Sequence, residues 1–255
     1  MPEIRALETA RVISTKEIAE MTFLTKFHSP KIASAVKPGQ FVMISFTNSL
    51  DPLLARAFSV SDVQGDNLSL LYTAVGKGTM RLSRATKGTP ILINGPLGNG
   101  FPKPSKGEKV WVVVGGSGAA LVPIIYRTSK RAGALIRVFY GCGTKSQLVS
   151  FTKIRCYHAT EDGSKGYHGT VVELLMKHLE HEEPDKIFGC GSTAMLTALQ
   201  RCVGVDHQIF VSVETPMACG MGFCQGCPVK IRHSSEYLLA CKDGPVFNAR
   251  EIELE

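Results

Sequence analysis

Four cysteines near the C-terminus place the tightest constraint on how this chain can fold. Cys219, Cys224, Cys227 and Cys241 follow the spacing C-x4-C-x2-C-x13-C. Three thiols crowded into one short stretch can wrap one side of a small inorganic core, and the fourth closes the cage from a later segment. That spacing lets four thiolates hold a 2Fe–2S cluster. Gly220, Gly222 and Gly226 stand between the cysteines, where they permit sharp turns and bring backbone N–H groups to the sulfurs. A 2Fe–2S cluster takes one electron at a time, so electron transfer is the expected function. Zinc and disulfides are the competing readings. A structural zinc site usually shows two close cysteine pairs, whereas Cys219 and Cys241 have no such neighbour.

The remaining chain reads as an ordinary globular protein with room for two domains. Of 255 residues, 44% are hydrophobic and 20% charged. No apolar run reaches the roughly 18 residues of a membrane span. The start, MPEIRALETARVIS, carries acidic residues and no long apolar core, so no secretory signal is expected. Cys142, Cys156, Cys190 and Cys202 are scattered. This fits a reducing compartment, hence a cytoplasmic location. The formal charge of +7 is spread along the chain. Without a basic stripe interleaved with aromatics, a nucleic-acid-binding module is disfavoured.

Hydrophobic texture divides the chain. Short apolar runs at 41–46, 57–60, 68–72 and 90–93, punctuated by Pro38-Gly39, Gln64-Gly65 and Lys87-Gly88, predict a small antiparallel β-barrel over residues 1–102, with one short helix at 78–84. Residues 101–107, with two prolines and a glycine, read as a linker. Beyond it, 110–114 is a continuous apolar run suited to a strand buried on both faces. Further strands at 134–140 and 186–189 alternate with helices at 169–177 and 192–203, which predicts a parallel α/β domain over 103–208. Residues 209–255 form a cysteine-bearing third segment. The expected fold class is therefore β plus α/β with a small C-terminal iron–sulfur module.

Several segments suit nucleotide phosphates. Gly115, Gly116, Ser117 and Gly118 follow a predicted strand and open a helix, where glycine lets the backbone approach a pyrophosphate. A tight strand-to-helix turn also needs glycine for packing alone. Arg56, Ala57, Phe58 and Ser59 lie on a predicted barrel strand and offer a guanidinium and a hydroxyl; a surface arginine beside a buried phenylalanine is the plainer alternative. Tyr72 and Thr73 lead into Gly76, Gly78 and Thr79, a glycine-rich turn before a helix that suits a diphosphate. Residues 94–101, NGPLGNGF, form another glycine-rich loop or an interdomain turn.

In this order the motifs resemble the ferredoxin–NADP reductase superfamily, and within it the electron-transfer subunits of two-subunit, NAD-linked dihydroorotate dehydrogenases. The resemblance spans nearly the whole chain and is strongest in GPLGNGF, in EDGSKGYHGTV at 161–171 and in the C-terminal CGMGFCQGC…CKDGPVF. It implies that the barrel binds FAD through Arg56 to Ser59, Tyr72, Thr73, Gly76, Gly78 and Thr79. It implies that Gly115 to Gly118 receive NAD(H), and that Cys190, in CGSTAML, lines the nicotinamide side of the flavin. Residues Cys219, Cys224, Cys227 and Cys241 would hold the cluster, with no general acid or base needed. The implied partner is an FMN-containing dihydroorotate dehydrogenase catalytic subunit in a heterotetramer, in pyrimidine biosynthesis, without nucleic acid or membrane.

Two positions depart from the family pattern. Leu121 stands where the nucleotide turn commonly has proline, with Pro123 two positions later, and Ser192 replaces a proline after Cys190. Either change bears on NAD(H) binding. The choice between NADH and NADPH stays open: Arg127, Lys130 and Arg131 suit a 2′-phosphate or a solvated helix face. Two other functions also stay open, an NAD(P)H reductase subunit of another redox complex such as a hydrogenase, and a zinc-bearing regulatory protein without redox turnover.

Overall fold

The computed structural model describes residues 6–47, 51–203 and 207–254. The N-terminal half is a seven-stranded antiparallel sheet. Its strands are β1 (Ala6–Ala19), β2 (Thr22–His28), β3 (Phe41–Phe46), β4 (Arg56–Ser59), β5 (Asp62–Gln64), β6 (Asn67–Thr73) and β7 (Pro90–Leu97), in the order β4-β3-β7-β1-β2-β6-β5. The two edge strands, β4 and β5, are consecutive in the chain. Between them Val60 N donates to Gln40 O (3.2 Å) and Ser61 N to Ser69 O (2.9 Å), which draws the edges together and curls the sheet into the expected barrel. Phe27, Val42, Ile44, Leu68, Leu70, Ile91 and Ile93 fill its interior. Two short helices, α1 (Pro30–Ala33) and α2 (Lys77–Ser83), cover its ends.

The second half is a sheet with helices packed on it. After β8 (Lys109–Gly115) come α3 (Val122–Arg131), β9 (Leu135–Cys142), β10 (Cys156–Thr160), β11 (Tyr167–His168), α4 (Val171–Leu179), β12 (Lys186–Cys190), α5 (Thr193–Cys202) and β13 (Gln208–Ser212). A hairpin of β14 (Pro228–Lys230) and β15 (Tyr237–Leu239) precedes β16 (Val246–Asn248). The sheet order is β11-β10-β9-β8-β12-β13-β16, parallel except for β16. Val110, Trp111, Val112, Val113 and Val114 of β8 are all buried, as expected of a central parallel strand. No helix among the described residues is long and apolar enough to cross a membrane.

Two expectations change. The glycine turn after β8 does not open directly into an α-helix: residues Gly116–Leu121 wind as a 3-10 helix, and α3 begins only at Val122. Pro123 sits in its first turn, where a missing N–H costs nothing. The stretch 101–107 starts on an anchor rather than a loose linker, since Phe101 is buried and stacks on Phe188 at 4.6 Å. The cysteine-bearing segment is joined to the second sheet through β13 and β16.

Candidate functional site

A cleft of about 520 Å³ runs between the barrel and the second sheet. Ala57, Phe58, Ser59, Tyr72, Thr73 and Thr79 line it from the barrel, and Ser117 and Cys190 face them. Antiparallel pairing of β4 with β3 sets Ser59 opposite Phe41 and Phe58 opposite Val42, so this short strand presents its residues at the cleft floor. Phe58 meets the Tyr72 ring edge-on at 5.3 Å. The Tyr72 hydroxyl bonds the Thr25 hydroxyl at 2.9 Å. Burial pushes the Tyr72 phenol up to about 12, outweighing that bond, so the group stays protonated. Burial raises the Cys190 thiol as well, aided by the Glu214 charge and opposed by the Ser212 hydroxyl. Cys190 is therefore a neutral wall and no nucleophile.

Arg56 and Gly78 are brought together, but neither lines the cleft. A side chain at Gly78 would meet Arg56 Cγ at 2.8 Å, which explains the glycine. Arg56 Nη1 donates to Leu54 O at 2.7 Å. The turn at Gly76 is closed from within: Val75 N and Gly76 N both donate to Thr79 Oγ1 at 3.0 Å.

A second cleft of about 600 Å³ crosses the C-terminal ends of β8, β9 and β10. Gly115, Gly116 and Ser117 line it; Gly116 has φ +51°, in the region that favours glycine. Gly118 lies below, packed against the Cys190 carbonyl. Ser192 caps α5, its hydroxyl accepting from Met195 N at 3.3 Å, so serine starts this helix with a hydrogen bond that proline lacks. Thr170 caps α4 in a reciprocal box with Glu173. Ser117 and Glu214 border both clefts, which are thus continuous.

Sequence reasoning assigned no role to Glu161, Thr170 or Glu214, all of which line this second cleft. The signal for Glu161 and Thr170 was the motif at 161–171. Glu214 has no comparable signature, being placed by β13 ending at Ser212.

Cys219, Cys224 and Cys227 lie on the loop before β14, and the β14–β15 hairpin returns Cys241 beside Cys227. Cys227 and Cys241 are buried with their sulfurs 3.2 Å apart. Gly222 N donates to Cys241 Sγ at 3.1 Å. Met221 N and Cys224 N donate to Cys219 Sγ at 3.4 and 3.5 Å. Those N–H groups lower the Cys219 thiol, whereas burial and the neighbouring Cys227 raise Cys241. Among the described residues no three side chains of metal-ligating type gather as they would on one ion. Gly220, at φ +69°, rests on Met43 of β3, 2.6 Å from where its Cβ would stand. Met217, two residues before Cys219, lines the first cleft.

Residues 214–253, which contain all four cysteines, match the model of the iron–sulfur cluster binding domain of dihydroorotate dehydrogenase B. Over 256 aligned positions the chain is 34% identical to the electron transfer subunit of dihydroorotate dehydrogenase B (NAD(+)) from Desulforamulus reducens, covering 96% of this chain and 98% of the relative. The chain belongs to the family of dihydroorotate dehydrogenase B electron transfer subunits. A further member, from Caldanaerobacter subterraneus, is 36% identical over 95% of this chain and 97% of its own. A chain of an NADH-dependent reduced ferredoxin–NADP oxidoreductase, from work on flavin-based electron bifurcation, superposes with a TM-score of 0.84 at 30% identity, over 97% of this chain and 90% of that one. A Neisseria gonorrhoeae ferredoxin NADP+ reductase with bound FAD and NADP, 16% identical, superposes at 0.67 over 80% of this chain and 97% of its own, and attests the fold.

Proposed function

We propose that this chain carries electrons between NAD(H) and a dihydroorotate-oxidising catalytic subunit that holds FMN, in pyrimidine biosynthesis. In this reading residues 1–102 serve FAD, 103–208 serve NAD(H) and 209–255 serve a 2Fe–2S cluster. The assembly is a cytoplasmic heterotetramer. The observation that carries the proposal is continuity: the two clefts share Ser117 and Glu214, and the cysteine loop adjoins the first cleft through Met217.

When bound, FAD supplies the exchange between a two-electron hydride and single electrons. The chain's own residues position and enclose. Phe58, Ser59, Tyr72 and Thr73 give the first cleft an apolar, hydrogen-bonding wall. Arg56 offers charge, and Gly78 and Thr79 backbone N–H groups, for a diphosphate at its rim, with Gly76 shaping the turn before them. Gly115, Gly116 and Ser117 hold the pyrophosphate of NAD(H), with Gly118 packed beneath them, and Cys190 closes the junction as an uncharged side chain. Cys227 and Cys241 form a buried pair of ligands, with Cys219 half-buried and Cys224 exposed. The N–H groups aimed at Cys219 and Cys241 favour thiolate character and tune the cluster.

Co-purification with the catalytic subunit tests the assignment. The complex is expected to reduce NAD+ with dihydroorotate, and Cys227→Ser to abolish that activity while FAD is retained. The likeness to the NADH-dependent reduced ferredoxin–NADP oxidoreductase favours one alternative, the same redox modules serving another complex. A co-purifying partner without orotate chemistry supports it. Stoichiometric zinc in a colourless protein supports the regulatory reading instead.

A further inference from the structure

Arg127, Lys130 and Arg131 of α3 line neither cleft. They belong to a third cavity of about 760 Å³, larger than both, between α3, the barrel and residues 149–154. None of Gly115 to Gly118, Cys190 or the four cluster cysteines lines it, and Leu71 of β6 stands in the wall between it and the first cleft. Its volume is that of a small-molecule site, about 300–1,000 Å³.

Two features set this cavity apart from a solvated groove. The first is charge. Arg127, Lys130, Arg131 and Lys153 line it against a single carboxylate, Asp62. Lys130, Arg131 and Lys153 have no acidic partner among the described residues. Lys153 also takes φ +68°, a costly backbone conformation for a residue with a side chain. The second is an ion pair left half-made. Asp62 is buried, yet only its Oδ2 is used, accepting from Arg127 Nη2 at 2.7 Å and Gln64 Nε2 at 2.9 Å. Asp62 Oδ1 and Arg127 Nε are buried without a partner among the described residues. A guanidinium and a carboxylate often close two parallel bonds, and a buried polar atom left unbonded is costly. The pair thus offers one acceptor and one donor that the protein does not satisfy. Leu24, Leu71, Tyr126 and Phe151 give the same cavity an apolar and aromatic wall.

We propose that this third cavity binds a nucleoside monophosphate, at a site separate from the two clefts. The base lies against the apolar wall. Its edge carries an N–H beside an acceptor, which complete Asp62 Oδ1 and Arg127 Nε once the partly exposed Arg127 side chain turns to admit it. The phosphate meets Lys130, Arg131 and Lys153, which are exposed at the mouth. Asp62 belongs to β5 and Arg127 to α3, so the ligand bridges the barrel and the second sheet. The proposal goes beyond the reading of the two clefts and does not depend on it.

Calorimetric titration of the FAD- and cluster-loaded chain, with excess NAD+ present, against AMP, GMP, CMP, UMP and orthophosphate tests it. At least one mononucleotide is expected to bind, about tenfold or more tighter than orthophosphate, because the base buries apolar surface that phosphate lacks. The double variant Lys130→Gln, Arg131→Gln, at two exposed positions, should weaken that binding by about tenfold, as expected for removing two phosphate-facing charges near the surface. Thr152→Trp, at an exposed position lining this cavity, should abolish it. Ala194→Trp, at an exposed position lining only the glycine-turn cleft among the cavities described, should leave it intact. Failure of all four mononucleotides to bind, or binding no tighter than that of orthophosphate, overturns the proposal. So does binding that survives Thr152→Trp, that ignores the double variant, or that is lost in Ala194→Trp, which would place the mononucleotide in the glycine-turn cleft.

Discussion

Gly118 lies with its α-carbon against the carbonyl of Cys190, so that any side chain there would collide with the end of β12. The glycine turn after β8 and the Cys190 wall of the first cleft thus share one contact. It explains why a small residue is needed here although Gly118 lines neither cleft.

Gly118→Ala is therefore expected to destabilise the protein by about 1–3 kcal/mol, the usual cost of overpacking against a backbone that cannot withdraw. NAD+ binding should weaken in the same variant. Urea denaturation and calorimetry check the two effects. A neutral change in both would show that the contact relaxes freely.

Thr170→Ala removes the cap of α4, where Glu173 N donates to Thr170 Oγ1 at 3.2 Å and Thr170 N to Glu173 Oε2 at 2.7 Å. A loss of about 1 kcal/mol is expected, with Thr170→Ser close to wild type. Thermal melts of the three proteins decide it.

The Asp62–Arg127 pair joins β5 to α3 and so ties the barrel to the second sheet. The side chain of Asp62 is 11% exposed and that of Arg127 38%. Solvent screening at Arg127 limits the pair, and a double-mutant cycle with Asp62→Ala and Arg127→Ala is expected to give a coupling of about 1 kcal/mol. A coupling indistinguishable from zero would make this bridge irrelevant to the joint.

Burial, with Lys165 in support, lowers the His158 imidazole below its ordinary 6.5, and its Nδ1 is buried without a partner among the described residues. Below 6.5 the unfolded chain then binds more protons than the folded one, so stability rises with pH up to that value and falls as pH drops beneath it. His158→Phe should flatten the dependence of melting temperature on pH between 7.5 and 5.5. An equal slope in both proteins would assign the effect to other groups.

Much of this was legible in the residues. The cysteine spacing and the apolar run of β8 are dense local signals; the family model matches the first at 214–253, and the structure makes the second a central buried strand. β1 was not legible: it is a long strand, yet only Ala10 and Val12 along it are buried, so it has no apolar run to announce it. The 3-10 stretch Gly116–Leu121 was hidden because glycine and alanine accept either winding. Glu161 was visible as a letter in a motif, but its place on the second cleft depends on strand order, which is not a local property of sequence.

An anaerobic visible spectrum of the purified chain, before and after stoichiometric NADH, tests the central claim most directly. Flavin bands over broad iron–sulfur absorption, both bleached by NADH, are the predicted result. A colourless protein, or colour that NADH leaves unchanged, would contradict the proposed path from NAD(H) through the clefts to the four cysteines.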